Sequence, residues 1–320
     1  MRLASWFALA CGLALAGPAF AQGDYPNRPI LLTSGIAAGA NSDVIARMVA
    51  SSLTERLGQP VVVEPRPGAG GMTAAARVAT ATPDGYTLVM ITGGYTIFPA
   101  IYKTMPFDPL NDLQMISTVI FFPFVISVNK DSPWKSVADL IAHAKANPGK
   151  VTYGTAGVGS TQHLIGELLS AFAGVQMVHV PYRGAPLSFA DLIGGRLDVV
   201  IETLTSAVPL VSAGTVRGLA VTSPGTWPSL PDMPTVAATL PGFDVQSWLG
   251  LATTKGVPAP IVARLTKETQ AVLAAPELRN KLSQAGNAVR SSSPEEMHSM
   301  IAGQIAKWKK VAADASVPMQ

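Results

Sequence analysis

Short β-rich runs alternate with helical patterns along most of this chain, and that alternation limits the fold more than any other feature. Ile30 to Thr33 reads as a strand, and Asn41 to Leu57 as a helix. In that helix Val44, Ile45, Met48, Val49 and Leu53 keep helical spacing. Val61 to Val63 is a second strand, Met72 to Ala79 an alanine-rich helix, and Thr87 to Ile91 a third strand after the turn Pro83-Asp84-Gly85. The result is β-α-β-α-β, half of a doubly wound sheet.

Met115 to Val128 breaks the rhythm. It is mostly apolar, contains Pro123, and reads as buried strand crossing from one lobe to another. Helix Val137 to Ala146 stops before Pro148. A second series follows: strand Val151 to Tyr153, helix Thr161 to Ala173, strand Met177 to Val180, helix Pro186 to Ile193, then strands Leu197 to Ile201 and Gly218 to Thr222. Leu249 to Thr253 reads as the return crossing. Helices from Pro258, Pro276 and Pro294 close the chain, each with proline in its first turn. The expected fold is α/β and two-lobed, each lobe a mainly parallel sheet flanked by helices. One lobe spans 22–123 plus 249–320, the other spans 124–248, and two crossings form a hinge. Ligands of such folds sit in the crevice beyond the carboxyl ends of the strands.

The first residues point to export. Arg2 precedes an uncharged apolar stretch from Leu3 to Ala16, and Ala19-Phe20-Ala21 offers a peptidase site before Gln22. The stretch is shorter than the roughly 20 residues of a membrane span. A signal peptide over 1–21 and a periplasmic location are expected. Lipid attachment at Cys11 is the competing reading. Cys11 is the only cysteine. Cleavage after Ala21 therefore removes disulfides, thiolate catalysis and cysteine-bound metal from consideration. The formal net charge is only +3 and 13% of residues are charged, which argues against a nucleic-acid partner.

Two stretches stand out chemically. GIAAGANSDVIARM at 35–48 and GTAGVGSTQHL at 154–164 are glycine-rich turns running straight into helices. Each puts bare N–H groups at a helix start, where aligned peptide dipoles favour an anion. Facing each other across the crevice, they would clamp a small carboxylate.

RPGAGG at 66–71, ATPDGYTL at 81–88, YGTAGVGSTQHLIGELL at 153–169, VHVPYRG at 178–184, DLIGGRLDVV at 191–200, LAVTS at 219–223, LPDMPTV at 230–236 and IAKWKKV at 305–311 occur in one order. Together they resemble the extracytoplasmic solute receptors of the tripartite tricarboxylate transporter family, often called Bug receptors. The resemblance covers essentially the whole mature chain. It implies a periplasmic-binding-protein (Venus flytrap) fold that closes on a small organic acid and delivers it to a two-component membrane permease. A sensor kinase is the alternative membrane partner. A monomer without cofactor or metal is expected.

The candidate ligand-binding residues fall into four groups. The first loop offers Ser34, Gly35, Ile36, Gly39, Ala40, Asn41 and Asp43, with Asn41, Ser42 or Asp43 able to cap the helix. Ile36-Ala37-Ala38 is bulkier than the family's usual loop, so Ile36 would narrow the pocket or favour an apolar ligand body. The second loop offers Thr155, Gly157, Gly159, Ser160, Thr161 and His163, whose hydroxyls and N–H groups can hold a carboxylate without arginine. Tyr95 and Thr96 follow the third strand and either face the ligand or cap a helix over the core. Glu202 and Thr203 follow another strand, and Glu202 would meet a ligand amine, a bound water or the neighbouring lobe. Arg183 is either a carboxylate anchor or a solvated, hinge-supporting residue.

Ser160 and His163 also raise a hydrolase reading. The elbow pattern fails, because Val158 and Gln162 stand where glycines are needed. RPGAGG lacks the lysine of a phosphate loop and is expected to serve packing. The histidines show no metal-ligand spacing.

Overall fold

A computed structural model describes residues 25–36, 41–158, 160–314 and 319. The elements run in order as β1 (Ile30–Ser34), α1 (Asn41–Leu57), β2 (Val61–Pro65), α2 (Met72–Ala79), β3 (Thr87–Thr92), α3 (Phe98–Ile101), β4 (Leu113–Asn129) and α4 (Val137–Ala146). Then come β5 (Thr152–Thr155), α5 (Thr161–Ala173), β6 (Val178–Pro181), α6 (Ala185–Ile193), β7 (Val199–Thr203), α7 (Leu204–Ser212) and β8 (Val216–Val221). The chain closes with β9 (Gln246–Thr254), α8 (Ala259–Ala274), α9 (Pro276–Gln284), β10 (Ala288–Val289) and α10 (Pro294–Asp314).

The sheet is α/β and mixed. β2, β1 and β3 lie side by side in parallel, and β9 and β4 follow antiparallel, with β10 on β4. A second sheet holds β6, β5 and β7 in parallel, with β4 antiparallel to β7 and to β8. Parallel pairing holds among the short strands on either side, as expected. Of the long strands, β9 opposes β3, while β4 opposes β9 and so points the same way as β3 in the first sheet but against β7 in the second.

β4 is that shared strand. Its residues from Leu113 to Pro123 pair with β9, and from Phe124 to Asn129 with β7 and β8. The return strand β9 already begins at Gln246, opposite Pro123. Val245 N still donates to Thr222 O beside β8. The chain thus changes sheets twice, within a few residues of one level.

Helices cover both faces. Ile30 and Leu32 of β1 pack with Ile45, Val49 and Leu53 of α1, and the same core continues to Leu164, Ile165 and Leu168 of α5. Met72, Ala75 and Val78 of α2 pack with Met297, Ile301 and Ile305 of α10 and with Trp248. Trp248 and Trp308 are buried. A third cluster joins Phe189 and Leu192 of α6 to Val200, Leu204 and Ala207. No helix among the described residues is long and apolar enough to cross a membrane.

Candidate functional site

At the carboxyl end of β1 the chain turns at Gly35 and packs directly on the 66–71 loop. A Cβ on Gly35 would lie 2.5 Å from Gly71 Cα. Gly71 holds φ 104°, in the left-handed region that favours glycine. RPGAGG thus packs on Gly35, a packing role. Ile36 is half-buried beside it.

Ser34 Oγ and Ser42 Oγ are buried at this end of the sheet and have no hydrogen-bond partner among the described residues. Buried hydroxyls are normally bonded, so both stand out, with Thr33 Oγ1 beside them on β1. Asp43 is bonded. Its buried carboxylate accepts from Arg47 Nε at 3.0 Å and from a second Arg47 nitrogen at 3.2 Å, one turn along α1. Asp43 thus holds an ion pair along its own helix, beside the ligand contact the sequence expected of it. Gly39, Ala40 and Gly159 lie outside the described residues, as does the side chain of Asn41.

The second sheet builds its end around α5. Ser160 caps the helix by accepting from His163 N at 3.2 Å, and its own hydroxyl donates to Gly157 O at 2.7 Å. Gly157 makes the turn at φ 119° and donates its N–H to Thr155 Oγ1 at 3.2 Å. Thr155 Oγ1 in turn meets His179 Nε2 at 2.6 Å. Thr161 is buried in the first turn. Glu202, at the end of β7, is 3% exposed. Its Oε2 accepts from Thr203 N at 3.0 Å and from Gln162 Nε2 at 3.3 Å. Burial pushes the Glu202 carboxyl up, against both bonds. Thr203 also meets Ser206 at 3.4 Å.

This geometry gives the hydrolase reading no support. The single Ser160 proton goes to the Gly157 carbonyl, and its lone pair takes the His163 backbone N–H rather than the ring. The His163 ring instead stacks on His179, centroids 4.0 Å apart at 23°. His163 Nε2 lies 3.7 Å from Glu167 Oε1, which accepts from Tyr153 Oη at 2.6 Å. Burial first, then the neighbouring His163, pushes His179 down to about 4. Burial also lowers His163, against the pull of Glu167. Two neutral rings can stack this closely without repulsion.

Tyr95 and Thr96 are corrected as ligand residues. The Tyr95 ring is buried, stacks on Phe107 at 5.8 Å, and donates its hydroxyl to Pro109 O at 2.6 Å. Burial raises its pKa far above the usual phenol. Thr96 is wholly buried and bonds Gly93 O at 2.7 Å and Gln304 Oε1 at 3.2 Å. The short turn after β3 faces α10, so both close the core. Arg183 is exposed on the turn after β6.

Structure thus gathers Thr155, Gly157, Ser160, Thr161, His163, Glu202 and Thr203 at one sheet end, and Ser34, Gly35 and Ile36 at another. The bonds above run within each group. Sequence reasoning passed over Gln162, which bridges α5 to Glu202, and over His179, which braces Thr155. Both stand inside the motifs quoted above, so the motif boundaries were the available signal.

Two cavities lie elsewhere. One of about 420 Å³ borders Asn129, Trp134, Ile193 and Asp198 at the amino ends of β5 and β7, the wrong end for ligands of open sheets. The other, about 210 Å³, borders Phe121, Gln246, Arg290 and Lys307 beside the shared strand. Among the described residues no cluster of His, Cys, Asp and Glu could hold a metal ion.

Comparison places these features in a known setting. The family model described as "Tripartite tricarboxylate transporter family receptor" matches residues 45–316. The UPF0065 protein in the tcbD-tcbE intergenic region of Pseudomonas sp. (strain P51) is 35% identical over 91% of this chain and 87% of its own length. Two solved structures are similar throughout. R. palustris Rpa4515 with adipate has a TM-score of 0.85 and 36% identity, covering 93% of this chain and 100% of that one. MatC (Rpa3494) from Rhodopseudomonas palustris with bound malate has a TM-score of 0.80 and 28% identity, covering 90% and 99%.

Proposed function

The chain belongs to the tripartite tricarboxylate transporter receptor family, and from that premise we propose that it captures a small organic carboxylate in the periplasm between two lobes. The single observation that carries this reading is the α5 end of the second sheet. Its glycine turn, capped helix start and buried Glu202 converge on one spot with no clustered arginine. Backbone N–H groups and hydroxyls at a helix start hold an anion without a fixed counter-charge. The adipate and malate named with the two similar structures support the ligand class. The lobes are 22–123 plus 249–320 and 124–248, hinged where β4 and β9 change sheets. The unbonded Ser34 and Ser42 hydroxyls supply the facing wall.

The receptor is exported by a signal peptide cut after Ala21 and acts as a monomer. Its closed form docks on a two-component permease, and it performs no chemistry on its cargo. Support for the last point is the Ser160 proton committed to Gly157.

Calorimetric titration of dialysed protein with adipate, malate and an aromatic monocarboxylate tests the reading. At least one acid should bind with one site per chain. Silence from all three, with the protein folded by circular dichroism, sinks it.

A further inference from the structure

Both donors that reach Glu202 choose the same oxygen. Thr203 N and Gln162 Nε2 donate to Oε2, and among the described residues Oε1 has no hydrogen bond. An ionised carboxylate spreads its charge over two oxygens and gathers donors on both. A carboxylic acid has one oxygen that only accepts and one that carries the proton. The bonding around Glu202 has the second form.

The neighbours supply no compensating charge. β4 sets Val125 opposite Glu202 and Phe124 opposite Thr203. β5 sets Gly154 opposite Val200. The first turn of α5 contributes Gln162, and α7 begins at Leu204. The ionisable groups on these and adjoining elements are engaged elsewhere. Tyr153 bonds Glu167, whose carboxylate faces His163, and His163 stacks on His179. Tyr182 donates to Asp191 at 2.8 Å, and Arg183 is exposed. None of them acts on the Glu202 carboxyl by its charge.

Resting on the carboxylate-receptor reading above, we propose that Glu202 is a carboxylic acid in the ligand-free protein at neutral pH and donates its Oε1 proton to the carboxylate of the bound ligand. An ionised Glu202 beside that carboxylate would set two like charges against each other in one largely buried site, an arrangement that pushes one of them to hold a proton. The neutral acid converts the clash into a charge-assisted hydrogen bond, shorter and stronger than a neutral one. The assignment also fixes a ligand class. An α-ammonium group placed at Glu202 would find a donor where it needs an acceptor. The site therefore takes mono- or dicarboxylic acids without an amine and rejects amino acids of the same length.

Infrared difference spectroscopy of the full ligand-free receptor at neutral pH, against E202Q, reads the first half directly. The carbonyl band of one protonated carboxyl should appear in the wild type only. Its absence overturns the assignment whatever the receptor binds. Calorimetry with adipate and with aspartate reads the second half. Adipate should bind and aspartate should not. Adipate affinity should fall by about tenfold per pH unit once the pH passes the Glu202 titration, with one proton taken up on binding. E202Q keeps a donor in its amide, so it should bind adipate without that pH dependence. Aspartate binding more tightly than adipate, or E202Q losing adipate while the wild type is flat with pH, overturns the proposal. No heat from adipate, malate or aspartate sinks the receptor reading and the ligand class together, while the infrared band still decides the protonation of Glu202.

Discussion

His179 and His163 lie face to face because burial keeps both rings neutral. That has a consequence for stability against pH. His179 titrates near 4 when folded, but near 6.5 in the unfolded chain. Between those values the unfolded state binds the extra proton, so stability is full above about 6.5 and falls as the pH drops toward 4. The half-buried ring is partly screened, which leaves a loss of about 1–2 kcal/mol. Urea midpoints measured from pH 7 to pH 4 should show this slope, and it should flatten in His179→Gln. Gly35 shows a second residue-scale demand. A methyl there meets the Gly71 backbone at 2.5 Å, and backbone cannot swing aside as a side chain can. Gly35→Ala should cost about 1–3 kcal/mol in denaturant unfolding, with the m-value unchanged. Neither effect is visible in a sequence. VHVPYRG and RPGAGG mark the places, but the partner of each glycine and histidine comes from another loop.

The helix α5 runs over Thr161–Ala173, the bounds its sequence predicts. Local chemistry fixes both ends: Ser160 supplies the cap, and Gly174 takes a left-handed conformation at φ 62°. Leu164, Ile165, Leu168 and Leu169 bury one stripe between them. Ser160→Ala removes the acceptor for His163 N and the brace to Gly157. It should destabilise the protein by about 1 kcal/mol and, on the proposed site, weaken carboxylate binding in calorimetry. An esterase assay on the same variant should show no change from the wild type. The helix α7 escaped prediction because Pro209 stands inside it. Packing of Leu204 and Ala207 against β7 overrides that local preference.

At the scale of the molecule, β4 and β9 join the two sheets, so any relative motion must be taken up where they change sheets. Ligand held between the lobes would stabilise the closed arrangement by mass action. Adipate or another bound acid at a hundredfold excess over its Kd should add about 2.7 kcal/mol to unfolding and raise the melting temperature. Small-angle scattering should show a smaller radius of gyration with ligand than without. An unchanged radius alongside a clear thermal shift would mean binding without closure. The strand that links the lobes was legible as a long apolar run containing Pro123. Its antiparallel direction was not, because direction depends on which strands it meets.

Alternating β and helical periods, the glycine turns and the capping serine are local features, and they set the α/β class, most element bounds and the α5 loop. Apolar period and turn chemistry act over a few residues, so one sequence suffices to read them. Which loops press together needed the tertiary structure. Tyr95 followed a strand end with a ligand-facing and a core-capping role both open, and proved to be core. Asp43 looked like a ligand and proved to be held by Arg47. Glu202 became a buried acid only once Gln162, Val125 and Phe124 closed around it. Burial and partnership arise from contacts between residues far apart in the chain, and spacing along one segment carries no record of them.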